Sequence, residues 1–366
     1  MLFRKYFIFI LVYLTEVPLF LSARDNVDTI RTEISQTAEK KKFDAGEYVI
    51  EHVSDAYEWH ILTIGHTHIS IPLPVILYSR KSGFHLFLSS RFHHGENAWK
   101  GFTIAGEGKF KGKIVELDES GKVIGRPLDF SITKSVAGAL ISAFLLLFIM
   151  IKGARMAVRN AGKAPTGLVN LIEPVVIFVR DDIAIPAIGK EKYMKFLPFL
   201  LSVFSFILIN NLIGLVPVFP FGSNVTGNIS VTMVLALFTF FMTTFNGNRH
   251  YWKEIYNPDV PWWMKYPVPL MPFVEFFGML TKPLVLMVRL FANMMAGHLI
   301  VTVFISLIFI FSNMMGPYAG YLISPVSIGF SVFILVLDIL VSFIQAFVFT
   351  LLSALYFGMA TAEHHP

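Results

Sequence analysis

The chain of 366 residues is 55% hydrophobic and only 15% charged, with a net charge of +5. Soluble domains carry roughly 25% charged residues, so an ordinary water-soluble globule is excluded and a bilayer protein is indicated. The absence of cysteine also excludes disulfides, thiolate zinc sites and cysteine nucleophiles.

The charges are unevenly placed. Of the 25 acidic residues 16 precede residue 131, as do 16 of the 30 basic ones. The front part is thus charge-balanced, and the net positive charge belongs to the apolar remainder. Loop lysines and arginines that set membrane topology explain it better than a nucleic-acid partner does.

Residues 1–23 read as a secretory signal: Arg4 and Lys5 supply the positive start, Tyr6 to Leu14 the apolar run, and Leu21-Ser22-Ala23 a small-residue cleavage site. Glu16 is irregular there, and an uncleaved signal anchor is the other reading. Either way residues 24–130 are expected outside the cytoplasm. Asn26 to Lys42 is polar, ending in Lys40-Lys41-Lys42, and suits a helix or a disordered segment equally. From about Glu58 the pattern turns to strands. Ile69 to Tyr78 and Gly83 to Ser89 carry β-branched or alternating apolar residues, and Asp118-Glu119-Ser120-Gly121 reads as a hairpin turn between Lys113–Leu117 and Lys122–Ile124. A small, mostly β domain is expected. It holds His52, His60, His66, His68, His85, His93 and His94, whose spacing is not specific for a metal, so they read as surface histidines and no metal or cofactor is expected.

Residues 131–362 form the membrane part. Ser135 to Ile151 is long enough for one span, and Lys152, Arg155, Arg159 and Lys163 place its end in the cytoplasm. Gly167 to Ile185 has apolar residues at helical spacing interrupted by Glu173, Arg180, Asp181 and Asp182, as in a helix lying along the interface. Phe196 to Val218 crosses outward, the loop Phe219 to Gly227 has no Lys or Arg, and Asn228 to Thr244 returns to Arg249, His250 and Lys253. Tyr251, Trp252, Trp262, Trp263 and Tyr266 look like an interfacial belt. Two longer stretches follow, Val268 to Phe311 and Ser324 to Met359. A helix of some 36 residues would reach about 54 Å against a hydrocarbon core of about 30 Å, so each must tilt, break or fold into a hairpin. Residues 363–366 are a cytoplasmic tail.

Charges in a membrane interior are expensive and mark ion paths by default. Glu275, Lys282 and Arg289 follow one another at seven-residue steps, hence along nearly one helical face, which continues through Asn293. Ala292, Ala296 and Gly297 permit close helix approach. His298 lies on the opposite side, while Asp338, Ser342 and Gln345 share a face of the last helix. On these grounds a transporter, a channel and a rotary-motor stator stay open. A secondary transporter or cation channel with an exported receptor domain is the main alternative, although no internal hydropathy repeat is visible.

The segment from Lys282 through Arg289-Leu290-Phe291-Ala292-Asn293-Met294-Met295-Ala296-Gly297-His298 resembles the signature of subunit a of the F-type ATP synthase. Asn211-Leu212-Ile213-Gly214-Leu215-Val216-Pro217, Asn228 to Ala236, and Gln345-Ala346-Phe347-Val348-Phe349 through Tyr356 resemble other parts of that family in order. The resemblance covers about residues 130 to 362. It implies an all-α polytopic membrane protein of about five spans, with an interfacial helix and strongly tilted last helices. It also implies a proton-translocating stator in a bacterial plasma membrane with a cytoplasmic C-terminus. Its partners would be a ring of c subunits, b-type peripheral-stalk subunits and, through the complex, the soluble F1 sector. Arg289 falls at the family's essential arginine. Asn293, His298, Asp338 and Gln345 fall on the outer half-channel, Glu275 and Lys282 on the inner one. Some members have Glu and His where this chain has His298 and Asp338. No Walker-type phosphate loop is present, so no ATP site is expected on this chain. The front segment of about 100 residues exceeds the family's usual short extension.

Overall fold

The computed structural model describes residues 55–64, 67–95, 97–106, 110–118, 121–160, 164, 166–216, 222–256 and 270–362. The expected signal, the Asn26–Lys42 segment, Trp262, Trp263, Tyr266 and the four-residue tail lie outside them.

The strand-like front part forms three small antiparallel sheets. Strands β1 (Glu58–Ile64) and β2 (Thr67–Pro72) pair as a hairpin. Strands β3 (Pro74–Ser79), β4 (Gly83–Leu88) and β8 (Leu128–Asp129) make a sheet in the order β4-β3-β8. Strands β5 (Phe102–Ile104), β6 (Ile114–Leu117) and β7 (Val123–Gly125) make the third. Alternation puts Val75 and Leu77 inward, where they meet Tyr57, Phe92, Phe102 and Ile114 in the core. Gly83 closes the β3–β4 turn at φ 81°, a conformation glycine adopts without Cβ strain. The Ser79 hydroxyl donates to the Glu116 carboxylate at 2.9 Å and joins two sheets. The Tyr57 hydroxyl donates to Asp129 at 2.5 Å; burial first, then that carboxylate, pushes the phenol above its ordinary range. Of the strands expected from sequence, Ile69 to Tyr78 is divided at Leu73 into parts of β2 and β3.

The remainder is helical. Helix α1 (Lys134–Arg159) starts at Thr133, whose hydroxyl accepts from Val136 N. The interfacial stretch is α2 (Leu168–Phe178), a π-helical turn (Val179–Ala184) and the short α3 (Ile185–Ile188). Helix α4 (Tyr193–Gly214) follows. Helix α5 (Ile229–Phe245) is capped by Asn228, which accepts from Ser230 N. It bends by 104° into α6 (Arg249–Tyr256). The two long apolar stretches are unbroken helices, α7 (Leu270–Met315, 46 residues) and α8 (Pro317–Thr361, 45 residues). Gly316, at φ 94°, turns one into the other. At 1.5 Å per residue each is about 70 Å long. A bilayer core of about 30 Å accommodates such helices by strong tilt. Among the described residues four helices are long and apolar enough to span a membrane, five if the bent pair counts as one.

The helical core gathers Val179, Ile183 and Ala184 of the π turn, Phe196, Leu200, Phe204 and Ile207 of α4, Leu286, Leu290 and Met294 of α7, and Ala346, Phe349 and Phe357 of α8. Bonds at the two ends set the direction of the helices. At one end the Lys192 ammonium donates to Thr361 O and Asn248 N donates to Ala360 O, tying the start of α4 to the ends of α5 and α8. At the other end the Ser223 hydroxyl donates to Lys134 O, and Asp55 accepts from Ser135 N and from the Asn228 amide. The starts of α1 and α5 are thereby held to the front part.

Candidate functional site

Arg289 lies about two-fifths of the way along α7. On this stretch Leu286, Leu290 and Met294 turn into the core, while Arg289, Ala292, Asn293 and Ala296 are exposed. The face is open, with the small or polar Ala292, Asn293 and Ala296 on the C-terminal side of Arg289 and the exposed Val285 and Val288 on its N-terminal side. Among the described residues no carboxylate pairs with Arg289. The cost of an arginine in an apolar helix is consequently not met by an ion pair among the described residues.

One polar cluster lies towards the α7 C-terminus. Here α8 crosses α7 closely at Gly297, where a Cβ would stand 2.6 Å from Asp338 Oδ1. The Asp338 carboxyl therefore rests directly on the α7 backbone, next to His298. The His298 ring reaches α4, its Nε2 lying 3.6 Å from where a Cβ on Gly214 would be. The same position at Gly214 is 3.4 Å from Ser223 O and 3.9 Å from Asn224 Cα. His298 thus sits by the loop that leads to α5. Behind it a buried amide network links four segments. Asn211 donates to Ser342 O at 3.3 Å and accepts from the Thr226 hydroxyl at 2.6 Å. Asn210 accepts from the Ser142 hydroxyl at 2.8 Å and donates to Phe206 O at 2.7 Å. Gln345, 6% exposed, is buried on the same side of α8 as Ser342. The Ser342 hydroxyl and the Asn224 amide nitrogen are buried without a hydrogen-bond partner among the described residues.

A second cluster lies towards the α7 N-terminus. The Lys282 ammonium sits 5.5 Å from the centroid of the Tyr356 ring, a cation–π arrangement. Lys282 and Tyr356 line a cavity of about 10 Å³ with Thr239, Thr243 and Tyr251, space for about one water. Both threonine hydroxyls donate to helix carbonyls, Thr239 to Leu235 O and Thr243 to Thr239 O. Glu275, half-buried, lies one turn from Met279, which also lines the cavity.

The expected residues therefore separate. His298 and Asp338 come together at the α7–α8 crossing, Ser342 and Gln345 turn into the interior, and Lys282 joins a different cluster. Arg289 and Asn293 stay on the open face of α7. Tyr356, Thr239 and Thr243 were not singled out from sequence. Tyr356 had a signal: it follows Gln345 by 11 residues, three helical turns, and so extends the stripe that begins at Asp338. No group of three metal-ligating side chains converges among the described residues. His85 packs edge-on against Phe102, at 5.1 Å between ring centroids. The side chains of the other front histidines lie outside the described ones.

Two family models match. One, described as a domain of unknown function (DUF8433), covers residues 48–130. The other, the ATP synthase A chain, covers residues 136–358. The chain is 44% identical over 241 residues to the ATP synthase subunit a of Chloroherpeton thalassium, spanning 64% of this chain and 68% of that one. It is 44% identical over 243 residues to ATP synthase subunit a 2 of Prosthecochloris aestuarii (64% and 70%). It is 41% identical over 249 residues to the Myxococcus xanthus subunit a (65% and 75%). The long helical hairpin, its exposed arginine and this match across most of the helical part agree: the chain is a multi-pass membrane protein and belongs to the ATP synthase subunit a family.

Proposed function

We propose that this chain is the proton-translocating stator of an F-type ATP synthase, with Arg289 as the barrier between two offset half-channels. The observation that carries the reading is the placement of two polar clusters on either side of an arginine that has no carboxylate partner among the described residues. Along α7, Lys282 precedes Arg289 by about 10 Å and His298 follows it by about 14 Å, at 1.5 Å per residue.

The outer half-channel runs past His298 and Asp338 with Asn293 and Gln345, and opens by Ser223 and Asn224. A file of water there would satisfy the buried Ser342 hydroxyl and Asn224 amide. The inner half-channel runs past Lys282, Glu275 and Tyr356. Its end of the bundle carries Lys152, Arg155, Arg159, Lys195, Arg249 and Lys253, which the positive-inside rule places in the cytoplasm. The front part, 24–130, then lies outside, as export by a signal in residues 1–23 requires.

Arg289 faces away from this chain's own core, and the partner chemistry it needs is a carboxylate. A ring of c subunits, each bringing one membrane carboxyl past this face, supplies it. Within about 4–6 Å a guanidinium favours the ionised carboxylate, and it stays charged itself even when poorly hydrated. A protonated ring carboxyl arriving at Arg289 thus releases its proton into one half-channel, and the fixed charge repels direct passage between the two. Each proton crossing 100 mV contributes about 2.3 kcal/mol. Ring rotation then drives ATP formation in the attached soluble sector, with b-type stalk subunits holding this chain still.

The test is ATP-driven proton pumping by the reconstituted complex. Arg289→Ala is expected to abolish pumping while the complex assembles. Pumping at the unmodified rate would overturn the mechanism.

A further inference from the structure

The sheet β4-β3-β8 is apolar on both faces. Its inner face covers the core through Val75 and Leu77. Its outer face pairs Tyr78 with Phe84, Ile76 with Leu86 and Pro74 with Leu88 across β3 and β4, and Tyr78 with Leu128 across β3 and β8. Phe130 N donates to Ile76 O and so extends β8 along the same side. Residues directly opposite in an antiparallel pair share a face. Phe84 is 66% exposed, Leu86 63%, Leu128 58% and Phe130 67%. An antiparallel sheet with one face on a core normally turns polar residues to water on the other. A contiguous apolar patch of this kind marks an interaction surface.

Two observations identify what covers it. The first is continuity with the spanning surface. Phe130 stands four residues before α1, whose outward row Val136, Leu140, Phe144, Leu147 and Phe148 is the lipid-facing side of a membrane helix. The patch therefore begins where the lipid surface ends. The second is its rim. Arg80 and Lys81 cap the β3–β4 turn, and Arg126 precedes β8, all exposed. Beside the β4 edge an open cleft is lined by Leu86, Leu88, Ser90, Arg91, Trp99 and Lys100, with the Arg91 guanidinium 4.8 Å from the Trp99 ring centroid. Apolar side chains bordered by cations and aromatic rings match the acyl and headgroup layers of an anionic bilayer.

We propose that the outer face of this sheet rests on the leaflet at the α1 N-terminal end, with Phe84, Leu86, Leu128 and Phe130 at the headgroup–acyl boundary and Arg91 and Lys100 on lipid phosphates. The sheet edges fix the depth. Unpaired strand N–H and C=O groups do not enter hydrocarbon, so the contact is interfacial. The front part then braces the first helix against the membrane surface, independently of whether protons cross the bundle.

The absence of cysteine from the chain makes the test direct. The full chain is reconstituted in phosphatidylcholine–phosphatidylglycerol vesicles. Phe84→Cys, Leu86→Cys, Leu128→Cys and, as an exposed control in the β6–β7 turn, Lys122→Cys are made singly and labelled with bimane. Quenching by doxyl-labelled phosphatidylcholine is compared with quenching by aqueous iodide. The three face positions are expected to be quenched several-fold more by the lipid probe than by iodide, and Lys122→Cys the reverse. Iodide quenching at the face equal to that of the control overturns the proposal in favour of a solvated surface. Protection from both quenchers overturns it in favour of a protein cover, from the chain before residue 55 or from a second copy. The substituted side chains point away from the core, so three independent positions protect the readout against one misfolded variant.

Discussion

The interior between α1, α4 and α8 and the open face of α7 both hold polar side chains among apolar helices, and they treat them in opposite ways. In the interior both side-chain amides of α4 are spoken for: Asn210 by Ser142 and Phe206 O, Asn211 by Thr226 and Ser342 O. On α7, Arg289 and Asn293 are exposed, and Arg289 has no carboxylate partner among the described residues. The α4 amides that join helices are satisfied within the chain, because an unmet donor in hydrocarbon is costly, whereas the Ser342 hydroxyl and the Asn224 amide nitrogen beside them are buried without a partner among the described residues. Arg289 and Asn293 are left open, and on the function proposed above they meet a ring carboxylate of another chain.

The strongest way to break this contrast is to remove the charge on the open face. Arg289→Ala deletes no core contact, so incorporation of the chain and thermal stability of the complex should stay as they are, while proton pumping falls to background. A variant that lost assembly along with pumping would move Arg289 to the structural side.

The converse experiment is Asn211→Leu. It leaves the Thr226 hydroxyl unmet in the interior, and a buried group left without its partner costs about 1–3 kcal/mol. A lower unfolding temperature and reduced yield are expected, with pumping per assembled complex close to normal. Unchanged stability would show that the interior network is not what holds α4 to α8.

Gly297→Ala tests the boundary between the two regions. The added methyl meets the Asp338 carboxyl at a distance no real Cβ shows. Overpacking of this kind costs about 1–3 kcal/mol. The displaced carboxyl should slow pumping by about tenfold, the equivalent of about 1.4 kcal/mol in a barrier. Gly297→Ala combined with Asp338→Asn should then lose less than the two effects multiplied. Full multiplicativity would separate the crossing from the proton path.

How far these regions were legible in the sequence follows from contrast. Arg289 stands out because it is a charge inside a run of Leu, Val and Met, and the basic helix ends stand out for the same reason. The single unbroken course of α7 was not legible, since hydropathy says how much is apolar but not whether the chain turns. Pro283 sits inside α7 without ending it. The π turn at Val179–Ala184 escaped because its buried Val179, Ile183 and Ala184 owe their register to packing on α4 and α8. Strands β5 and β8, of three and two residues, are too short for any alternation to register. The meeting of Asp338 with Gly297 joins residues 41 apart, and local spacing holds no information about it.

Tyr356 was hidden for a related reason, an aromatic ring among apolar residues, and its variants carry the smallest expected effects. The ring and the hydroxyl have separable roles. The ring faces the Lys282 ammonium at 5.5 Å, a contact of about 0.5–1 kcal/mol. Tyr356 also lines the small cavity with Thr239, Thr243 and Lys282. Tyr356→Phe keeps the ring and should change pumping by less than about twofold, whereas Tyr356→Leu removes the cation–π contact and should cost about two- to fivefold. If Tyr356→Phe proves as damaging as Tyr356→Leu, the hydroxyl itself takes part in passing protons. Tyr356 would then belong with Arg289 among groups that face a mobile partner, and no longer with the amides that hold the bundle.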